Sequence, residues 1–336
     1  MDKKIILAVA GSGKTKLIID SLSIDKRSLI VTYTNSNFNT LYKRILEKFN
    51  GKWPNNIKLF TYFQFLYRFC YKPFLSDQVN AKGIVYKFND NHFIKKEKPE
   101  FFLTPTRFLY FNRLSFLLCQ ENIIDDISKR IIKYYDEFII DEVQDISGRD
   151  FDFLLEISKT DVNMIFVGDF YQHTYDTSRD GNVNKNLFKD LSKYIKKFTT
   201  NGFVDDSDSL VKSWRCSFSV CKYVLDNLGI KIYSNREIND DTNVIEIFDE
   251  GKKADILNDS SIIKLHHKNS FKFGIGHRNW GDVKGEEFNN DICVLLNKDT
   301  AKLHSKGKLK DLKPLTLNKL YVALTRTRGN VYVVYE

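Results

Sequence analysis

The stretch KKIILAVAGSGKTKLIIDSL, residues 3–22, passes from an apolar run through a glycine loop into a segment of helical spacing. Residues 3–10 are apolar enough for a buried strand of a parallel sheet, and Leu17, Ile18 and Leu22 fall at helical intervals. Between them AVAGSGKT (8–15) fits a P-loop, with Ala8 where a glycine is commoner. Glycines let backbone N–H groups turn in on phosphate oxygens, and a helix N-terminus adds partial positive charge there. Ala10, Gly11, Ser12 and Gly13 are therefore the expected cradle, with Lys14 reaching the terminal phosphates and the Thr15 hydroxyl on Mg2+. ATP and Mg2+ are the expected ligands. A plain glycine-rich turn is the alternative, and the strand before and helix after argue against it.

The same alternation continues outward. RSLIVTYT (27–34) reads as a strand and NTLYKRILEKF (39–49) as an amphipathic helix. Residues 62–134 read as mostly helical, with aromatic and basic side chains mixed, and EFIIDE (137–142) and VNMIFVGD (162–169) read as strands ending in acids. TTNGFVDDSDS (199–209) is the best candidate linker. Beyond it the pattern predicts a helix over 217–228, strands over 243–248, 261–265 and 289–296, a helix around 314–327 and a last strand in GNVYVVYE. Strand and helix alternating in this way predict an α/β fold of parallel sheets covered by helices. A chain of 336 residues holds about two domains at roughly 150 residues each.

The acids at the end of EFIIDEVQDIS (137–147) complement the glycine loop. P-loop enzymes hold Mg2+ with an acid at the tip of a neighbouring strand, and Asp141 stands in that place. Glu142 beside it would orient and deprotonate the attacking water. A solvated loop or helix cap accounts better for Asp145 than for this pair.

Lys and Arg exceed Asp and Glu by 52 − 43, a net charge of +9, which favours polyanionic partners such as nucleic acid. The five cysteines (Cys70, Cys119, Cys216, Cys221, Cys293) form no CxxC pair, and the start of the chain shows no signal peptide. A cytoplasmic setting is expected, the host cytoplasm for a phage-encoded chain. The most apolar window, residues 101–118, contains Pro105, Arg107, Asn112 and Arg113 and is too short and polar to span a bilayer. The run TYFQFLYRFCYKPF (61–74) fits either a base-stacking platform or, more commonly for aromatics at helical spacing, core. His266 and His267 lack metal-ligand spacing.

AVAGSGKT, VTYTN, IIDEVQD, VGDFYQ, WRCS, VKGEEF and YVALTRTR, in this order between residues 8 and 328, resemble the motifs of UvrD/Rep-like superfamily 1 DNA helicases. The resemblance implies two RecA-like P-loop domains, 1–203 and 204–336, with a small helical insertion at about 63–134 in the first. It implies an ATP-dependent DNA helicase and translocase, hydrolysing ATP to move along single-stranded DNA and unwind a partial duplex, with 3′ to 5′ polarity. By position, Gln144 and Gln172 would sense the γ-phosphate, Arg215 and Arg326 would act as arginine fingers, and Glu287 would contact the nucleotide. Thr32, Tyr33, Thr34 and Asn35, with Thr61, Tyr62 and Tyr175, match segments that touch the DNA strand, and Tyr321 precedes the second finger.

The chain also departs from that family. Its first strand begins at residue 3, so the family's upstream adenine-reading glutamine is not expected, and Gly281 replaces the histidine that opens the GDVKGEEF segment (281–288). After Tyr175, Thr177 and Ser178 stand where an aromatic–arginine pair is usual, with Arg179 displaced. Only about 60 residues separate WRCS from VKGEEF, where larger relatives carry a long insertion. A second expectation is therefore an ATP- and DNA-binding switch or loader that recruits a nuclease or a replication or repair partner and hydrolyses ATP without unwinding. A third is an RNA-directed motor. No membrane partner is expected.

Overall fold

The apolar runs form strands Lys3–Leu7 (β1), Ser28–Thr32 (β2), Ile57–Thr61 (β3), Glu137–Asp141 (β4), Asn163–Gly168 (β5) and Val204–Asp206 (β6). They make one sheet in the order β3-β2-β4-β5-β1-β6. The pairings β2 with β3, β2 with β4, β4 with β5 and β1 with β6 are parallel, so consecutive strands are joined by crossovers. β2 and β4 are buried along their whole length, as strands covered on both faces are. The computed structural model describes residues 2–89, 91, 93–175, 181–237 and 241–336. Thr177, Ser178 and Arg179 lie outside the described residues.

Register aligns the carboxyl ends of the strands. Thr32 pairs with both Thr61 and Asp141, and Asp141 with Val167. Helices Lys14–Ser21 (α1), Asn35–Lys48 (α2), Gly148–Ile157 (α3) and Leu191–Thr199 (α4) accompany this sheet. Two local readings change. The polar stretch taken as a linker holds β6, a three-residue strand too short and too acidic to register as a periodic pattern. The segment expected to be mostly helical contains a parallel strand pair, Gly83–Val85 with Phe108–Tyr110, besides its helices. The aromatic run after β3 winds into a π-helix, Phe65–Tyr71, with Phe65, Phe69 and Tyr71 buried, so it is core.

By packing, the chain divides into two compact units. One comprises Met1–Ile6, Thr15–Gly168 and Asp176–Asp206; the other comprises Leu7–Lys14, Asp169–Tyr175 and Ser207–Glu336. The second unit has a five-stranded sheet of Val244–Ile247 (β7), Ile263–His266 (β8), His277–Asn279 (β9), Ile292–Leu296 (β10) and Val331–Tyr335 (β11). Its order is β7-β11-β10-β8-β9, with every pairing parallel. Alternation along β10 sends Ile292, Val294 and Leu296 into a core shared with Trp280, Leu320 and Val322. Cys293 and Leu295 enter a smaller cluster with Ile256 and Val334. Helices Phe218–Leu228 (α5) and Pro314–Leu324 (α6) supply much of the larger core, into which Val9 and Ala10 of the glycine loop also pack. Among the described residues no helix is long and apolar enough to cross a membrane.

Candidate active site

The glycine loop leaves β1 and ends where α1 begins, at Lys14. Gly11 and Gly13 have φ of +71° and +94°, the left-handed region that side chains resist. At Gly11 space is also short. A Cβ there would lie 2.8 Å from Arg215 Cβ and 2.8 Å from Ser213 Oγ. The Gly11 carbonyl accepts a hydrogen bond from the Trp214 N–H at 2.9 Å, which fixes the WRCS segment against the loop. The Ser12 hydroxyl is buried with no hydrogen-bond partner among the described residues. A cradle closed to side chains, with an unsatisfied hydroxyl, fits a phosphate-bearing ligand.

The acidic edge lies in the other unit. Asp141 ends β4, is 4% exposed and accepts a hydrogen bond from the Thr32 hydroxyl at 3.3 Å. Glu142 follows with φ +55°, a left-handed conformation rare for a side chain longer than asparagine. The buried Gln144 donates to the Glu142 carboxylate. At the end of β5, Gly168 makes room for this glutamine, because a Cβ there would run into the Gln144 amide and the Val143 side chain. Thr15 and Asp141 offer hard oxygens, the donor type Mg2+ takes. Among the described residues no cluster of three or more His, Cys, Asp or Glu could hold a metal alone, and a P-loop site draws its remaining oxygens from phosphates.

Within the second unit, a hydrogen-bond chain through Asp169 and Tyr321 links three motifs distant in sequence. The Asp169 carboxylate accepts from the Gln172 amide at 2.7 Å and from the Tyr321 hydroxyl at 3.0 Å. Tyr321 in turn accepts from the Ala10 N–H of the glycine loop at 2.8 Å. Burial, reinforced by Asp169, raises the Tyr321 pKa well above that of an ordinary phenol, so it stays a donor. Asp169 was not singled out from the sequence as a site residue; an acid closing a buried strand, three residues before Gln172, was the available signal.

The two expected arginine fingers differ. Arg215 donates to Glu287 at 2.8 Å and to the Thr325 carbonyl at 3.2 Å. Arg326 is 2% exposed, with its Nε on the Val322 carbonyl at 3.2 Å. Burial, helped by the nearby Arg215 charge, lowers the Arg326 pKa to about 10, which still leaves it cationic near neutrality. Glu287 also accepts from Arg328 at 2.7 Å, so it bridges two guanidiniums. Burial alone would raise the Glu287 pKa, but hydrogen bonds and charge from Arg215 and Arg328 outweigh it and hold the carboxyl below its ordinary value. Nothing local in the sequence marks the pairing of Arg328 with Glu287 across 41 residues.

The candidate DNA contacts split by burial. Thr32 and Thr61 are buried, the first bonded to Asp141 and the second closing a capping box with Gln64. Tyr62 is 2% exposed, so its ring supports Tyr33, which stacks on it at 5.7 Å, and offers no surface of its own. Thr34 caps α2 through the Asn37 N–H, and Asn35 is exposed beside it. Tyr175 donates to Asp282, carries Lys319 over its ring at 4.9 Å and is 46% exposed. A Cβ on Gly281 would sit 3.0 Å from the Tyr175 hydroxyl and 3.3 Å from Lys319 Cε, the ends of side chains that can give way.

Fold and site together define a P-loop NTPase: a glycine loop between the first strand and its helix, and an acid pair at the tip of a buried parallel strand. The chain matches the viral superfamily 1 RNA helicase core domain over residues 105–335, more than half its length. It belongs to that family of superfamily 1 helicase cores. No curated protein sequence is detectably similar to it. Among solved structures it is similar to an arterivirus nonstructural protein 10 (helicase) in complex with DNA, at 13% identity and a TM-score of 0.51. That alignment covers 99% of this chain and 60% of the other, so the chain spans about three fifths of the viral protein's length. A second structure of arterivirus nonstructural protein 10 aligns at 14% identity and TM-score 0.48, covering 99% of this chain and 59% of that one. A Pif1 helicase at forked DNA aligns at 12% identity and TM-score 0.40, covering 98% and 87%.

Proposed function

We propose that this chain is the motor core of an ATP-driven translocase on single-stranded nucleic acid, with DNA as its track and 3′ to 5′ as its direction. The observation that carries the reading is the packing of Arg215 against Gly11, which sets a guanidinium-bearing segment directly on the expected phosphate cradle. The seven ordered motifs support a UvrD/Rep-like relationship with two RecA-like domains, the first running through β6 to residue 206 rather than ending at 203, and an insertion over 63–134.

In this reading Lys14 holds the terminal phosphates and Glu142 takes a proton from the attacking water. Thr15 and Asp141 hold Mg2+, which when bound neutralises phosphate charge. Gln144 orients Glu142 by the hydrogen bond between them. Arg215 and Arg326 stabilise the charge that develops on the phosphoryl group, Arg215 by leaving Glu287 for the nucleotide. Gln172 reports the state of the nucleotide through Asp169 and Tyr321 to the Ala10 N–H. Tyr33, Thr34, Asn35 and Tyr175 are the candidate contacts to the strand. Five cysteines without a CxxC pair fit action in the cytoplasm.

RNA is the second reading, favoured by the description of the matched family as RNA helicases. Steady-state ATP hydrolysis with single-stranded DNA, with RNA of equal length and with neither tests both. Stimulation by DNA above RNA supports the first reading, and stimulation by RNA alone replaces it. Absence of hydrolysis under all three conditions, or undiminished turnover in Glu142→Gln, ends the motor reading. Hydrolysis without strand displacement on either overhang identifies a switch or loader.

A further inference from the structure

Tyr86 is 68% exposed, an uncommon state for so large an aromatic side chain, and it does not stand alone. It follows the strand Gly83–Val85, and Phe111 follows the partner strand Phe108–Tyr110. Because Val85 pairs with Tyr110 in parallel register, Tyr86 and Phe111 occupy equivalent positions, and their rings lie 5.9 Å apart at 33°. Phe63 meets both edge-on, Tyr86 at 5.9 Å and Phe111 at 5.3 Å. Two rings thus brace Tyr86 from within the unit, which fixes an exposed ring at little further entropic cost on binding.

Phe63 ties this group to the strand tips. It contacts Tyr33 at 5.7 Å and Tyr62 at 5.4 Å, the residues that directly follow β2 and β3. Rings therefore run without a break from the carboxyl edge of the first sheet to the exposed tyrosine of the inserted lobe. The segment that carries it is basic in sequence. Residues 82–113 carry seven Lys or Arg against three Asp or Glu, and Lys82, Lys87, Lys95 and Lys96 are exposed. An exposed, braced ring in a basic segment suits one occupant, an unpaired base on its phosphodiester backbone, since the ring can stack on the base while cations of the segment meet the phosphates.

We infer that Tyr86, braced by Phe63 and Phe111, is a base-stacking site for single-stranded nucleic acid on the inserted lobe, extending the strand's path beyond the tips of β2 and β3. This inference rests on the nucleic-acid reading of the chain. The test is binding, by fluorescence anisotropy, of labelled oligodeoxythymidylate, oligouridylate and an abasic chain of equal length to wild type, Tyr86→Ala and Tyr86→Phe. Tyr86→Ala is expected to bind the base-bearing probes roughly tenfold more weakly, the scale of one lost base–aromatic stack. Tyr86→Phe should bind as wild type, the abasic chain should not distinguish the three proteins, and hydrolysis without nucleic acid should be unchanged. Equal binding of base-bearing probes by wild type and Tyr86→Ala overturns the site and leaves the patch to a protein partner. Failure of wild type to bind any probe overturns the nucleic-acid reading as well.

Discussion

The two sheets are built alike and end differently. In the first, the aligned carboxyl ends carry Thr32, Thr61 and Asp141. In the second, the strands close on Ile247, His266, Asn279, Leu296 and Tyr335, with neither a glycine loop nor an acid among them. The candidate groups of the second unit come instead from connections: Arg215 ahead of α5, Glu287 ahead of β10, and Arg326 and Arg328 between α6 and β11. Ligands of parallel α/β sheets gather at strand carboxyl ends. In the second unit the candidate groups sit on loops, where their placement is not set by strand register. The first set is led by acids; the second is three guanidiniums with Glu287 bridging two of them.

That contrast can be broken most severely at its cationic side. Arg215→Ala is expected to lower kcat by about 10³-fold, the lower range for an arginine finger. Nucleotide affinity should change far less, and the comparison of kcat with binding shows whether Arg215 acts on the developing charge or only on the fold. Next is the acidic side. Glu142→Gln should lose about 10²-fold or more in turnover while still binding nucleotide, which separates a proton acceptor from a merely structural carboxylate.

A smaller effect is expected where the glycine loop meets the WRCS segment. Gly11→Ala places a methyl in a left-handed residue and against Arg215 and Ser213. A loss of about 1–2 kcal/mol in stability from the backbone alone should follow, read as a lower Tm together with weaker nucleotide binding. The smallest concerns Gly281. Gly281→Ala meets only the ends of the Tyr175 and Lys319 side chains, which can shift, so stability should fall by under about 1 kcal/mol. Gly281→His, the side chain of the resembling family, should displace Tyr175 and alter nucleic-acid affinity more than ATP hydrolysis without nucleic acid.

What was legible in the sequence is what is local. Strand, glycine loop and helix follow one another within residues 3–22, and the acids sit on the strand that places them, so both could be read directly. The Asp169–Tyr321 bond spans 152 residues and the Glu287–Arg328 pair 41, and nothing in either segment names its partner. Short elements were hidden for another reason. A strand of three residues shows too little alternation to stand out, which is why β6 looked like a linker and why the pair flanking Tyr86 vanished into a helical pattern. Burial was the last blind spot. Thr61 and Tyr62 fit a surface motif, yet one is spent capping a helix and the other supports its neighbour.

The left-handed backbone at residue 142 bears on what holds that position. A glutamate there sits about 1 kcal/mol above a conformation it would prefer, whereas asparagine tolerates the same angles. Glu142→Asn should therefore melt no earlier than wild type while being inactive. Thermal tolerance and turnover would then move in opposite directions at a single residue, the mark of a side chain kept for its reactivity against the interest of the scaffold that carries it.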